Sequence, residues 1–372
     1  MSKAAELAKI GEVATSSQIG GRRNIIINGG MNVAQRNTSV TGIGAADGYF
    51  TLDRWGIYQA ATAGRLTMAQ VADVHDGFAN AMKLTCTTAD ASVAAGEFII
   101  LRQSLEGQDV QQLQYGTSDA KKLTVSFYVK GNASAKYTCE LQNNDNSRTT
   151  AQTFDVTTDW TRVILTFNPD TVDGFNDDNA ISLTMLLWLH AGSTYTGGTF
   201  VSNTWADTVT NTRVGDSVTS FLDSTNRTFF ITGVQMEVGS QATPFENRSF
   251  GEELSLCQRY FHFSGFPKIV PGQDQADGSL TDYEGQIMSW TAGGSNRHMT
   301  SYSFPTTMRS NPTVVMYGAN DGTSARSSPY NSSTQQTVSD YYNESTNGLH
   351  GYFTCSSDTT GQRFFLEADC EL

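Results

Sequence analysis

The sequence predicts a mainly β protein, a jelly-roll β-sandwich with a short N-terminal helix and a second, C-terminal β domain. Three observations predict this class. Charged residues make up only 16% of the 372 residues, below the roughly 25% of an average soluble domain, and small polar residues take their place. Apolar runs of strand length recur along the chain, with turns rich in Asn, Asp and Gly between them. Helical spacing, by contrast, occurs in few segments.

The clearest strand prediction is the segment 123–130, LTVSFYVK. Strict alternation places Leu123, Val125, Phe127 and Val129 on one face, which is typical of a half-buried antiparallel strand. The same reasoning predicts further strands in the first region at 24–30, 98–103, 136–143, 160–168, 181–190 and 228–237.

A smaller region follows residue 262 and is also predicted to be β. The tract 318–347, rich in Ser, Thr, Asn and Tyr, has no clear periodicity and is predicted to be a long loop. Candidate strands around it are 283–290, 298–304, 313–318, 351–355 and 363–371.

Two short helices are predicted. At 249–261, Ser249 can cap the first turn, and two glutamates in that turn favour a helix start. At 3–16, Leu7 and Ile10 share one face, but so thin an apolar stripe does not support an isolated helix. The N-terminal helix should therefore pack against another copy of the chain or against a separate protein.

Charge and cysteine content exclude several classes of partner. The chain carries 24 Lys plus Arg against 37 Asp plus Glu, a net charge of −13, which argues against nucleic acid and against an anionic membrane surface. The 5 cysteines are odd in number and lack zinc-type spacing, so neither a disulfide framework nor a zinc site is predicted. No apolar run approaches a membrane span or a signal-peptide core, so we expect synthesis in a reducing cytosol without membrane insertion.

Catalytic motifs are absent from the sequence. It has no GxSxG elbow, no phosphate-binding or dinucleotide-binding glycine loop and no HxxxH pair. Asp274 and Asp277, or Asp282 and Glu284, could act as a glycosidase pair, and the second pair would share one strand face. A solvated strand face is the more ordinary interpretation. The prediction is that the protein is not an enzyme.

One loop, 168–179, concentrates oxygen ligands that could hold a structural calcium ion. A solvated turn is the alternative and is favoured, because the spacing of a helix-loop-helix calcium site is missing. No other cofactor is predicted. The candidate ligands are Asp170, Asp173, Asp177 and Asp178.

Aromatic residues divide into two groups by their neighbours. Trp55, Trp160 and Trp188 lie in or beside apolar strands and are predicted to be core residues. A second group lies among small polar residues, as in antibody loops, and could bind a ligand, although packing beneath a loop is the alternative. Its members are Trp205, Trp290, Tyr317, Tyr330, Tyr341 and Tyr342, and the receptor-binding candidates chosen among them are Trp290, Tyr330, Tyr341 and Tyr342.

Four segments taken in order resemble the fibre or receptor-binding structural proteins of tailed-bacteriophage virions. The third segment is the most specific of them. They are NIIINGGMNVAQR (24–36), YFTLDRW (49–55), ITGVQMEVG (231–239) with ATPFE (242–246) and CQRY (257–260), and FPTTMRSNPT (304–313) with the ending EL (371–372).

The resemblance implies a jelly roll like that of carbohydrate-binding modules, followed by a C-terminal β domain, in a usually trimeric fibre bound to a phage particle by its N-terminal segment. We predict that this fibre is a tail fibre, made in the bacterial host cytoplasm. Residues 1–23 would anchor the fibre to a tail adaptor, nozzle or other virion protein through Leu7 and Ile10. The distal domain, above all the loop 318–347, would contact a host-surface glycan or protein. A solvated or trimer-locking loop, a capsid-decorating fibre and a tail-spike polysaccharide depolymerase are the alternatives. The predicted domains are an anchor at 1–23, a jelly roll at 24–248, a connecting helix at 249–262 and a distal β domain at 263–372.

Overall fold

The computed structural model describes residues 22–267, 271, 287–291, 297–318, 326–329, 336–339, 344–355 and 362–372. The predicted anchor residues Leu7 and Ile10 lie outside this set. Within it, no helix has both the length and the apolar character needed to cross a membrane. Backbone contacts divide the chain into two units, one holding Ser39–Arg248 with the described residues before Val33, the other Val33–Thr38 with Ser249–Leu372.

Antiparallel strands make up most of the first unit. The single turn of helix α1 is Ser193–Thr196, and 3-10 turns occur at Gly107–Asp109, Gln111–Leu113 and Thr210–Thr212. The strands are β1 (Ser39–Ile43), β2 (Gly48–Tyr49), β3 (Gly56–Ala60), β4 (Arg65–Val71), β5 (Ala81–Thr88), β6 (Phe98–Glu106), β7 (Leu123–Gly131), β8 (Ala135–Asn143), β9 (Arg148–Val156), β10 (Thr161–Phe167), β11 (Ile181–Ala191), β12 (Ala206–Asp207) and β13 (Thr228–Val238).

These strands form two sheets of a sandwich. Sheet A has the order β1-β4-β5-β13-β7-β10, and sheet B has the order β12-β9-β8-β11-β6-β3-β2. The chain changes sheet from β6 to β7 to β8 and from β9 to β10 to β11, whereas β4–β5 and β8–β9 pair within one sheet. The predicted mainly β class and jelly-roll sandwich are confirmed.

The alternation predicted for β7 is confirmed. Leu123, Val125, Phe127 and Val129 are fully buried between the sheets. The outward residues Thr124 and Ser126 are buried as well, because other segments of the chain cover this end of sheet A, as the bond from the Thr124 hydroxyl to the carbonyl of Gly239 shows.

The predicted strand at 24–30 is wrong, since this segment joins neither sheet. Two backbone bonds tie it to β13, from the N–H of Ile25 to the carbonyl of Met236 at 2.9 Å and from the N–H of Val234 to the carbonyl of Gly29 at 3.0 Å, and side chains hold the rest. The Gln103 amide accepts from the N–H of Ile27 at 2.8 Å and donates to its carbonyl at 2.9 Å, as a neighbouring strand would. The Asn24 carboxamide oxygen accepts from the N–H of Ile26 and of Met236, both at 3.0 Å. Side-chain amides thus form hydrogen bonds with backbone groups of this segment. The apolar run had suggested that these groups would pair with a strand of a sheet.

The second unit contains helix α2 (Phe250–Gln258) and a further set of strands. The helix is confirmed, and the Ser249 hydroxyl accepts from the N–H of Glu252 at 3.3 Å as its N-terminal cap. The strands are β14 (Phe261–Phe263), β15 (Ile287–Thr291), β16 (Arg297–Ser303), β17 (Thr313–Gly318), β18 (Arg326–Pro329), β19 (Gln336–Ser339), β20 (Glu344–Ser345), β21 (Gly348–Cys355) and β22 (Gln362–Asp369).

Strand β22 organises this unit. It pairs with β14, β15, β17 and β18. The pairs β15–β16, β16–β21, β21–β19 and β19–β18 lead back to it, so the pairing closes into a ring. The prediction of one long loop at 318–347 is therefore wrong for β18, β19 and β20. Strands so short and polar carry no apolar alternation by which the sequence could reveal them.

Residues Val33–Thr38 belong to the second unit through two side chains. The Gln35 amide donates to the carbonyl of Phe261 at 2.7 Å and accepts from the N–H of Phe263 at 3.4 Å. The Arg36 guanidinium lies 3.6 Å from the ring centre of Phe261 and bonds Asp369 at 2.9 Å. The division thus differs from the predicted boundary at residue 24, and the predicted domains themselves stay a prediction.

His262 gives the second unit a dependence on pH. Its ring is buried, with Nε2 2.6 Å from the Tyr302 hydroxyl, and burial lowers its pKa to about 4. The unfolded chain takes up this proton near pH 6.5 and the folded chain does not until about pH 4, so stability present above pH 6.5 is lost as the pH falls. We expect a loss of about 2 kcal/mol between pH 7.5 and pH 5 from this group.

Urea unfolding of the full chain at both pH values, followed by tyrosine and tryptophan fluorescence, measures this loss. His262→Gln should remove about 2 kcal/mol of the pH dependence. An equal pH dependence in the original chain and in His262→Gln would contradict the assignment.

Candidate functional site

The receptor-binding residues predicted from sequence fall largely beyond the described part of the chain. Tyr330, Tyr341 and Tyr342 lie outside it. The backbone of Trp290 belongs to β15 and pairs with Met299 of β16, but its side chain is not among those described. Recognition by the loop 318–347 therefore stays a prediction.

The predicted calcium loop contains a buried ion pair. Asp170 is almost fully buried, and its two carboxylate oxygens accept from Nε and Nη2 of Arg148 at 2.6 and 3.2 Å. Arg148 also bonds the exposed Asp207 at 2.9 Å and lies 3.4 Å from Asp173. Arg148 has no signal in the loop sequence, because it lies at the start of β9, far from this loop along the chain.

The four candidate calcium ligands do not form a common set. Among the described residues, no group of three or more His, Cys, Asp or Glu could hold a metal ion. Asp178 accepts from the N–H of Ala180 at 2.9 Å. At Asp170, the guanidinium of Arg148 already neutralises the carboxylate charge. Calcium binding by this loop stays a prediction without a carboxylate cluster to support it.

The fibre-like motifs lie mainly in buried polar contacts of the first unit. Asn28 donates to the carbonyl of Asp53 at 3.0 Å, and its own carbonyl accepts from the Trp55 indole at 3.1 Å. Glu237 accepts from both the N–H and the hydroxyl of Thr243, at 2.8 and 2.7 Å. These motif residues stabilise the sandwich, so a ligand surface has to be sought elsewhere.

Such a surface lies on the side of sheet A that faces away from sheet B. Five aromatic side chains there are partly exposed, and we call them the aromatic face. They come from the β4–β5 connection, from β7, from the residue before β10 and from the segment after β13. They are His75, Phe78, Tyr128, Trp160 and Phe245.

The rings of the aromatic face form a continuous layer. His75 stacks on Tyr128, with ring centres 4.2 Å apart and planes inclined by 21°. Phe78 lies 5.5 Å from Tyr128 and 5.1 Å from Phe245. Gly233 makes this possible, since it has φ +62° at a bulge of β13 and a Cβ there would lie 2.5 Å from the Phe78 ring.

Basic side chains accompany these rings. Lys83, Phe230 and Lys130 are direct partners across β5, β13 and β7. Nζ of Lys130 lies 4.8 Å from the Phe230 ring centre and 5.3 Å from that of Trp160, and Nζ of Lys83 lies 5.3 Å from Phe230. Lys130 also bonds Asp73 at 2.7 Å.

Arg162 completes the basic set. It pairs with Tyr128 in the sheet, its guanidinium lies 5.8 Å from the Tyr128 ring centre, and it donates to the carbonyl of Thr243. Rings with apolar faces and charged or hydroxyl groups at their edges are suited to binding a ligand that is itself partly apolar and partly polar. The aromatic face is therefore a candidate binding surface.

Sequence reasoning missed this surface. Trp160 was predicted to be core because a strand follows it, and this prediction is wrong. Its ring lies outside the sandwich near Lys130, half-buried. Trp55 and Trp188 are buried as predicted. The face is assembled from four separate segments, so no contiguous motif could reveal it.

Ser220, His190 and Glu97 form a cluster arranged like the nucleophile, base and carboxylate of a catalytic triad. His190 Nδ1 lies 2.7 Å from the Ser220 hydroxyl, and its Nε2 lies 3.6 Å from Glu97. However, the Ser220 oxygen already accepts from the N–H of Leu222 at 3.1 Å, and the His190 ring is buried. A hydroxyl engaged in its own turn and a base without access to substrate indicate a structural cluster.

No protein-family model matches the sequence, and no curated protein matches it. Solved structures with a similar strand arrangement include a CBM4 carbohydrate-binding module, at TM-score 0.30 and 18% identity over 57% of this chain and 97% of that one. A family 11 carbohydrate-binding module of Clostridium thermocellum has TM-score 0.27 and 13% identity over 54% of this chain and 99% of that one.

The tailspike protein 4 of bacteriophage CBA120 is also similar through its enzymatically active domain, at TM-score 0.28 and 10% identity, over 50% of this chain and 19% of that one. Scores and identities this low carry no argument about what the chain does. The structure by itself defines the class as an antiparallel jelly-roll β-sandwich followed by a second β unit.

Proposed function

We propose that this chain is a non-enzymatic, glycan-binding structural protein of a phage particle. In this proposal it is a trimeric tail fibre that attaches through its N-terminal segment to a tail adaptor, nozzle or other virion protein and contacts a glycan of the host surface. The resemblance of four motif segments to virion fibre proteins supports the particle role. The observation that carries glycan binding is the aromatic face of sheet A.

The chemistry of a sugar ring matches that face. A pyranose has C–H groups on its faces and hydroxyl groups around its rim, so it packs flat on an aromatic ring while its rim forms hydrogen bonds. The partly exposed rings of Trp160 and of His75, which itself stacks on Tyr128, offer flat surfaces, and Lys83, Lys130 and Arg162 offer N–H donors nearby. Small-ligand sites typically combine an apolar surface with a small number of polar or charged groups.

Trp160→Ala is expected to weaken glycan binding by the full-length protein roughly tenfold, the effect of losing about 1.4 kcal/mol of ring contact. The measurement is screening of the original chain on an array of defined oligosaccharides, followed by calorimetric titration of the strongest ligand. Trp160 lies outside the sandwich core, so we expect the melting temperature to change little.

The matched control is Tyr58→Ala. Tyr58 is also an exposed ring on a sheet surface, 39% accessible, but it belongs to β3 in sheet B. This variant should bind as the original chain does. Full affinity after Trp160→Ala would contradict the site, and an array on which the original chain binds no glycan would contradict the function.

A further inference from the structure

We infer that the aromatic face selects anionic glycans, that is, polysaccharides whose sugars carry carboxylate or sulfate groups. This inference rests on the proposed function and names the ligand class of the same site. It follows from how the basic side chains are arranged among the rings.

The basic and aromatic residues alternate along a row that crosses sheet A. Strand register places Lys83 opposite Phe230 and Phe230 opposite Lys130. Trp160 comes next, since it precedes Thr161, the partner of Val129. The row therefore reads Lys83, Phe230, Lys130, Trp160 over four neighbouring strand positions, with each ammonium group within about 5 Å of a ring.

Two of the three cations of this surface form no ion pair within the part of the chain that the structure describes. Lys130 is paired with Asp73. Lys83 and Arg162, however, form no ion pair with a carboxylate among the residues that the structure describes. The chain as a whole has a net charge of −13, so two such cations on one aromatic surface differ in sign from the overall charge of the protein. An anionic group of a ligand would neutralise them.

The spacing of the cations fits a repeating polymer. Lys83 and Lys130 lie two strands apart, which places their backbone positions about 10 Å from each other. Two linked pyranose rings span such a distance, so charges on alternate sugars of an extended chain would meet the two lysines. A sugar ring stacked on Trp160 would then place the neighbouring sugars of the chain over the other residues of the row.

Charge attraction at this exposed site also predicts a salt dependence. Added salt screens exposed charges over about 10 Å at 0.1 M and over about 3 Å at 1 M. Binding of an anionic glycan should therefore weaken as salt is added, whereas binding of a neutral glycan by ring contact should not.

The experiment compares matched pairs of ligands on the full-length protein. One pair is hexagalacturonate and its carboxyl-reduced, neutral counterpart, and the other is dextran sulfate and dextran. We expect at least tenfold tighter binding of the charged member in at least one pair, lost at 0.5 M NaCl. The first pair reports carboxylate recognition and the second reports sulfate recognition.

The test variant is Lys83→Met, which keeps a side chain over Phe230 and removes the charge. We expect about fivefold weaker binding of the preferred anionic ligand and a clearly smaller loss for its neutral partner, to which Lys83 offers one hydrogen-bond donor but no charge attraction. Lys136→Met is the matched control, because Lys136 is also half-buried on a strand but belongs to sheet B. It should leave all affinities unchanged.

The outcomes separate this inference from the function on which it rests. Equal or tighter binding of the neutral members would overturn the anionic preference and leave glycan binding in place. Binding of neither member of any pair, together with an empty oligosaccharide array, would overturn both. A charge preference of unchanged size in Lys83→Met would overturn the role given to the row.

Discussion

Replacing Gly29 with alanine is expected to lower the free energy of unfolding of the sandwich by about 3 kcal/mol or more. A Cβ at this position would lie 2.0 Å from the carbonyl oxygen of Val234 and 3.1 Å from its carbon. These are backbone atoms of β13, and the N–H of Val234 donates to the carbonyl of Gly29 at 3.0 Å. Neither segment can move away without breaking this hydrogen bond, so the clash with the added methyl group cannot be relieved at a small cost in free energy.

Gly96→Ala is the control for Gly29→Ala. It introduces the same methyl group in the same unit at a position where no atom lies within 4 Å. Its effect should stay within about 0.5 kcal/mol. Urea unfolding of both variants measures the difference. A loss below about 1 kcal/mol in Gly29→Ala would contradict the close approach of residues 24–30 to β13.

Arg213→Met is expected to cost about 3 to 5 kcal/mol, because it would leave a buried carboxylate without its counter-charge. Glu140 on β8 is fully buried, and its two oxygens accept from Arg213 at 2.8 and 2.9 Å and from the Trp188 indole at 2.6 Å. Burial raises the pKa of Glu140 and Arg213 opposes that rise. Without the arginine this carboxyl should stay protonated to higher pH, so the variant should lose more stability as the pH rises.

Two further variants test this assignment. Arg227→Met removes a guanidinium paired with the exposed Asp223, four residues earlier on the chain, and should cost less than about 1 kcal/mol. Adding Glu140→Gln to Arg213→Met should recover part of the loss, because a neutral amide is cheaper to bury than a carboxylate. Thermal and urea unfolding at pH 5 and pH 8 measure all three. No recovery in the double variant would contradict the buried charge as the cause.

The parts of the fold that the sequence predicted are those with a local cause. The core side of β7 follows from alternation, and the start of α2 follows from a serine whose hydroxyl caps it. The strands β4, β5 and β9 were not predicted, although the buried Met82, Leu84 and Cys86 of β5 alternate with polar residues as a half-buried strand requires. In β9, Thr and Gln leave few apolar residues to show such a pattern. The strands β18 and β19 within 318–347 were also missed. They form by pairing with β22 and β21, which lie later in the chain, and their own sequences show no strand pattern.

The parts that could not be predicted depend on contacts between distant segments. The run at 24–30 has the composition of a strand, but the Gln103 and Asn24 side chains replace the partner strand. Arg148 and Asp170 are separated by a complete strand, so the acidic loop alone suggested a metal and not an ion pair. The aromatic face needed the bulge at Gly233 and the register of three strands, neither of which leaves a pattern in the sequence.

The position of β13 has a consequence for how the chain is made. This strand is the last of the sandwich to leave the ribosome, yet it lies between β5 and β7. Until it emerges, both of these strands lack a neighbour on their inner edge, and sheet A exists only as separate halves. Unfilled edges of this kind pair readily with other nascent chains. The sandwich therefore closes late in synthesis, at one insertion step that secures both halves of the sheet together with the N-terminal segment bonded to Met236.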